Sequence, residues 1–174
     1  MKQAATAGGK VSAGLAWALF VLLCFGSIPS FASPPEQLKS FEAFLEALKA
    51  GRTVKAVFYY AKCRLVIDGK DEKAPDAVGG MEFRTFEYFA PGAVKNPKGF
   101  VAASETVLIS HPRYGYVQNY VKVRIFEDHA VEIIARYLNP KTLKVVMDET
   151  FHGEIDDGTN GKGIVLYAAD RSGD

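Results

Sequence analysis

Between positions 36 and 50 the apolar residues recur at helical spacing, and from position 54 onward they alternate. Leu38, Phe41, Phe44, Leu45 and Leu48 fall on one helical stripe, and Gly51 just after Lys49 is a natural stop. The spacing predicts a helix over 36–50 whose Phe/Leu stripe packs on a sheet as core, not as a cofactor site. Val54–Tyr60 is rich in β-branched and aromatic residues and reads as a strand. Asp68–Gly80 is polar, contains Gly and Pro and reads as a loop, with Gly79-Gly80 a flexible turn. Met81–Phe89 reads as a further strand, Pro91–Gly99 as a loop and Phe100–Ile109 as another strand, which His111-Pro112 breaks.

The second half carries the clearest alternation. Tyr116–Phe126, Val131–Leu138 and Lys144–Ile155 are joined by short turns and make an antiparallel meander. Keeping the apolar faces together sets Ile125 opposite Val131, Val123 opposite Ile133 and Val121 opposite Ala135, around the loop Glu127-Asp128-His129. The other face then places Arg124 opposite Glu132, a charge match that favours the same register. In the next hairpin Tyr137 is expected opposite Val145 and Ala135 opposite Met147, around Pro140-Lys141-Thr142. A turn at Asn160-Gly161 leads into a strand at Ile164–Ala168. The predicted fold is mainly β (α+β): an N-terminal helix, then about seven antiparallel strands in a meander over 54–168, closed as a small lipocalin-like barrel or strongly curved sheet. A helix lying across an open sheet is the alternative.

The first residues follow a different logic. Lys2 and Lys10 precede the apolar run Val11–Phe25, and Ser30-Phe31-Ala32 is a small-x-small site, so 1–32 reads as a signal peptide cleaved after Ala32. The run is shorter than the ~20 residues a membrane span needs. Leu23 before Cys24 argues against lipid attachment, which requires a small residue there. The expected organisation is a signal peptide over 1–32 and a single domain over 33–174, located in the periplasm or secreted, with no membrane anchor after cleavage. With Lys2 and Lys10 removed, Lys+Arg falls from 21 to 19 against 20 Asp+Glu, a net charge of −1. That balance gives no attraction to nucleic acid or to an anionic membrane surface. Cys63 becomes the mature chain's one cysteine, which excludes an intramolecular disulfide and leaves stability to packing. Between Tyr59, Tyr60, Leu65 and Val66 it is expected as a buried, unreactive thiol.

The apolar face of the meander is interrupted by Asn119 and Glu149. An ionised carboxylate in such a face needs a counter-ion, a proton or a ligand. Glu105 poses the same question, because it alternates with Val101, Ala103, Val107 and Ile109, although the opposite face of its strand is nearly as apolar. Glu105 and Glu149 in one cavity would suit a hydrolase acid/base pair. Each could equally pair with a basic residue at a rim, or join Asn119 in anchoring a small amphipathic ligand, so Asn119, Glu149 and Glu105 are the expected ligand-binding residues. His111 and His129 stand apart on loop and turn, while His152 shares a face with Asp148, Thr150 and Glu154 that reads as an outer salt-bridge ladder. Asp156–Gly161 has Gly158 third and Tyr167 twelfth where a calcium loop needs acids, and reads as a hairpin turn. Ser104 and Ser110 lack a GxSxG context and Cys63 has no local His, so no catalytic set is complete, and neither metal nor cofactor is expected.

Several segments resemble the bacterial VirK family: Gly99–Glu105, Gly115–Lys122, Tyr137–Thr142 and Lys144–Phe151, joined by Tyr60–Cys63 and Gly79–Met81. The resemblance spans essentially the whole mature chain. It implies a small, signal-bearing bacterial protein associated with virulence or host interaction, and it implies no reaction. The expected function is that of an exported, non-enzymatic protein binding a small amphipathic ligand inside a β-barrel. The alternatives are a surface-acting module that binds a host or envelope protein over a filled core, and a hydrolase using Glu105 and Glu149.

Overall fold

The computed structural model describes residues 34–170, so the signal peptide expected over 1–32 and its cleavage site lie outside the described residues. The segment expected to open the helix is a strand, β1 (Glu36–Leu38), because Ser40 fixes the helix start. Ser40 is extended and its side chain accepts the Ala43 N–H at 3.2 Å, capping α1 (Phe41–Lys49). The other elements are β2 (Thr53–Tyr59), a 3-10 turn (Tyr60–Lys62), β3 (Arg64–Ile67), β4 (Lys70–Glu72), β5 (Val78–Glu82) and β6 (Phe86–Phe89). They are followed by β7 (Phe100–His111), β8 (Gly115–Phe126), β9 (Ala130–Leu138), β10 (Val145–Glu154) and β11 (Ile164–Ala169).

The expected barrel does not close. The strands form two sheets with free edges, a four-stranded one ordered β1-β11-β2-β5 and a seven-stranded one ordered β4-β3-β10-β9-β8-β7-β6. Every pairing of named strands is antiparallel, and the meander expected from the alternation is the run β7-β8-β9-β10. One face of each sheet and the stripe of α1 bury a single core, in which Phe44, Val54, Val101, Val123, Ile125, Ile133, Ile164 and Leu166 are 0 % exposed. Phe44 meets Phe83 edge-on, with ring centroids 5.0 Å apart.

Two segments divide where the sequence suggested continuity. The strand expected over Met81–Phe89 breaks after Glu82: β5 pairs with β2 in the small sheet, whereas β6 pairs with β7 in the large one. The loop expected over Asp68–Gly80 contains β4 and the start of β5. Gly79-Gly80 is therefore strand and not turn. A Cβ on Gly80 would stand 2.6 Å from the Ala56 carbonyl oxygen, and one on Gly79 would stand 2.7 Å from the Tyr60 hydroxyl.

The first hairpin has the expected register, with Ile125 opposite Val131, Val123 opposite Ile133 and Arg124 opposite Glu132. The second does not: Met147 lies opposite Tyr137 and Glu149 opposite Ala135, because a bulge falls between Val145 and Met147. The connecting loop is shaped by Asn139, whose side chain accepts the N–H groups of Lys141 and Thr142 at 3.0 Å, and by Leu143 in the left-handed region (φ 58°). Asp156–Gly161 is not a hairpin turn either, since β10 and β11 belong to different sheets and the segment crosses between them.

Truncating the centre of this core should be severe. Ile133→Ala is expected to lower unfolding free energy in urea by about 2–5 kcal/mol. Val94→Ala, at a side chain 55 % exposed, should stay within about 0.5 kcal/mol of the parent.

Candidate functional site

Cross-strand rows place the three residues picked out by the sequence. The row Phe151, Ile133, Val123, Ala103 lies in the core. The next row outward is Glu149, Ala135, Val121, Glu105, and the one beyond it is Met147, Tyr137, Asn119, Val107. Residues directly opposite one another share a face, so Glu149, Asn119 and Glu105 are all on the core face of the large sheet. Glu149 and Glu105 stand at opposite ends of their row, with Ala135 and Val121 between them. Three strand spacings put their backbones about 14 Å apart, and Glu105 is exposed. The fold does not assemble the close carboxylate pair that the hydrolase reading required.

Glu149 instead meets aromatic side chains. Tyr60, in the turn after β2, packs on Phe151 with centroids 4.6 Å apart. Burial is the main cause that raises the Tyr60 phenol above its ordinary range, with Cys63, Tyr137 and Glu149 nearby adding to it. Burial likewise pushes the Glu149 carboxyl up, and among the described residues no Lys or Arg forms an ion pair with it. Tyr137 also belongs to a cluster with His111 and Tyr114, at centroid distances of 5.1 Å and 5.9 Å. The result is a half-buried carboxyl without a counter-ion, beside two phenols and one row from the Asn119 carboxamide. Such a set can hydrogen-bond a polar group, but it supplies no nucleophile with a base and an oxyanion donor. Tyr137 was accessible from the sequence, because the first hairpin's register puts it opposite Asn119. Tyr60 was not, since the other sheet delivers it.

Elsewhere the chemistry is quiet. Cys63 is buried, its thiol donates to the Tyr59 carbonyl at 3.6 Å, and burial pushes its pKa up. The outer face carries the expected ladder, with Arg124–Glu132 at 2.9 Å, Arg136–Asp148 at 3.0 Å and Lys162–Glu154 at 3.0 Å, while His152 lies opposite Glu132 and Arg64. His129 stands 4.0 Å from Glu42. An outer depression of about 440 Å³ is lined by Phe100, Phe126, Arg124 and Lys98, a feature with no marker in the sequence. Both of its basic groups are already paired, Arg124 with Glu132 and Lys98 with Asp128. Among the described residues no group of three His, Cys, Asp or Glu could hold a metal ion, and no helix is long and apolar enough to cross a membrane.

These features define a small two-sheet α+β protein whose longer sheet extends past its core, with a polar site at the boundary. The family model described as VirK protein matches residues 37–143, and the chain belongs to the VirK family. A crystal structure of a VirK family protein from Legionella pneumophila is similar in fold, with a TM-score of 0.57 at 14 % identity, covering 75 % of this chain and 97 % of that one. No curated protein matches the chain.

The raised Glu149 carboxyl fixes a sign. The folded state holds this proton more tightly than the unfolded chain, so the associated stability is complete below the ordinary carboxyl pKa. It is lost as pH rises through the folded value. Glu149→Gln should therefore be more stable than the parent at neutral pH, with the difference vanishing in acid, as read from urea unfolding across pH. For Cys63, thiol reagents should label native protein far more slowly than urea-unfolded protein.

Proposed function

We propose that this VirK protein is exported by the signal peptide over 1–32 and acts in the periplasm or outside the cell as a non-enzymatic interaction module. It engages a host or envelope protein through the far end of its longer sheet. One observation carries this reading. Of the ten exposed large apolar side chains among the described residues, six gather at that end: Val107, Leu108, Tyr116, Leu143, Val145 and Val146, at 40–69 % exposure. A monomer has no reason to collect apolar surface there, whereas a protein-binding surface does. The separation of Glu105 from Glu149 across the sheet supports the same reading, as does membership of a family associated with virulence.

A second reading has its own observation. The raised Glu149 carboxyl, the phenols of Tyr60 and Tyr137 and the Asn119 carboxamide line an inner face on which a small amphipathic ligand could lie, with Glu105 at its rim. Native mass spectrometry of protein recovered from periplasm or medium separates the two. The interaction module should appear as unliganded polypeptide beginning at Ser33. Its double variant Tyr116→Ser/Leu143→Ser should keep the parent's thermal unfolding and export level, yet fail to restore host interaction to a deletion strain. A small-molecule adduct that disappears in Glu149→Gln would instead establish the ligand reading, and a species still carrying residues 1–32 would overturn export.

A further inference from the structure

Sheet edges present unpaired N–H and C=O groups, and chains guard them with charge, proline, bulges or shortness. Most edges here are guarded. β4 is Lys-Asp-Glu, β1 has three residues, β5 contains Gly79-Gly80, and the free part of β10 carries the bulge at Val145–Met147 and Asp148. The outer edge of β7 is different. β6 covers it only from Phe100 to Ala103, so among the described residues Glu105–His111 has a neighbour on one side, β8, with a continuous register and no bulge. Between Thr106 and Ser110 this edge has no charge and no proline, and Val107 and Leu108 are 47 % and 55 % exposed.

We infer that this edge pairs antiparallel with the same edge of a second copy of the chain, about a twofold axis at Leu108. The sequence of the free stretch is its own complement. With Leu108 opposite Leu108 of the second copy, Val107 faces Ile109, Thr106 faces Ser110, and Glu105 faces His111. The two β-branched residues pair, the two hydroxyls pair, and a carboxylate stands opposite an imidazole. His111 Nδ1 already accepts the Arg113 N–H at 3.1 Å, which leaves Nε2 as the donor facing Glu105. Leu108 is also the midpoint of Glu105–His111, so this register uses the whole free edge and stops before the residues that β6 occupies. A twofold axis normal to the sheet keeps each strand face continuous with its counterpart, and the two seven-stranded sheets become one. The pairing needs no host protein, and it leaves Tyr116 and Leu143 outside the shared strands, so its failure and that of the host-interaction reading are separable.

Sedimentation equilibrium on protein recovered from the producing cell should give twice the chain mass at micromolar concentration. Leu108→Lys places two ammonium groups directly opposite at the axis and should weaken the dimer about tenfold or more, with thermal unfolding equal to the parent's once both are diluted to monomer. Leu143→Lys, at the same apolar end but off the strand, should leave the dimer intact. Leu108→Cys should form an intermolecular disulfide on mild oxidation, because directly opposed Cβ atoms are within bridging reach, whereas Val107→Cys, offset from its own copy, should not. A monomer up to millimolar concentration, a dimer insensitive to Leu108→Lys, or crosslinking through position 107 in preference to 108 would overturn the pairing. So would a one-to-one complex with a different polypeptide on this edge that excludes the second copy.

Discussion

Two sheets of unequal length share one core, and most features of the molecule descend from that mismatch. β7 and β8 each have 12 residues, while β2 has seven and β11 six. At about 3.4 Å per residue the long hairpin runs about 40 Å against about 24 Å for its cover. α1 and the small sheet can desolvate only the near part of the long sheet, where Val101, Val123, Ile125 and Ile133 are 0 % exposed. Along the same face burial then falls through Val121 and Ala135 to exposed Val107, and in the row beyond it Val117 alone is buried again, at 1 %. Glu149 sits where the cover ends, which is why burial raises its carboxyl without hiding it completely. A carboxylate one row deeper, in place of Phe151, would have to lose its water entirely.

How much of this was legible follows from which information is local. Register between β8 and β9 was readable because two independent signals on opposite faces agree, the Val/Ile rows inside and Arg124–Glu132 outside. A partly buried pair on the outer face of this kind adds about 1 kcal/mol, but a one-residue slip would break it and turn the whole apolar row outward. The next hairpin offered no second signal. The bulge after Val145 and the left-handed Leu143 shift the pairing by two residues, and neither departs visibly from an alternating pattern. The helix start failed differently. Leu38 fits the helical stripe, yet Glu36–Leu38 finds its hydrogen bonds on β11, at the other end of the chain, while Ser40 caps the helix behind it.

The same distinction governs the site. Glu149, Asn119 and Glu105 were visible as polar interruptions of an apolar period, and all three do lie on the inner face. Their separation was hidden, because a closed barrel would have turned both carboxylates into one cavity, whereas the open sheet keeps β7 and β10 three strands apart. Tyr60 was hidden for the same reason that the barrel was overpredicted. An alternating chain specifies a meander, but it does not say that Val54–Tyr59 leaves that meander for a second sheet and returns through a 3-10 turn. The return places Tyr60 over Gly79 and against Phe151. A two-sheet solution therefore needs a glycine where the crossing chain passes over β5, and Gly79 serves that purpose, whereas Gly80 lets β5 close on the Ala56 carbonyl of β2 within the small sheet.

Close approach also explains how Cys63 is shielded. Cys63 Sγ lies where a Cβ on Gly153 would be 3.0 Å away and one on Gly163 3.1 Å away, so both backbones press against the sulfur. Gly153 belongs to β10 of the large sheet and Gly163 immediately precedes β11 of the small one. The thiol therefore acts as a small apolar filler at the junction of the two sheets, donating to Tyr59. Only 7 % of Cys63 is exposed, at the edge of a depression of about 650 Å³ lined by Ala61, Lys73, Pro75 and Asp76, and burial holds its thiol protonated and slow to react. Among the described residues no disulfide restrains the unfolded chain, and the junction is held by packing. Separating the two sheets would draw Gly153 and Gly163 off the sulfur together, so the protection of Cys63 depends on the same close approach that joins the sheets.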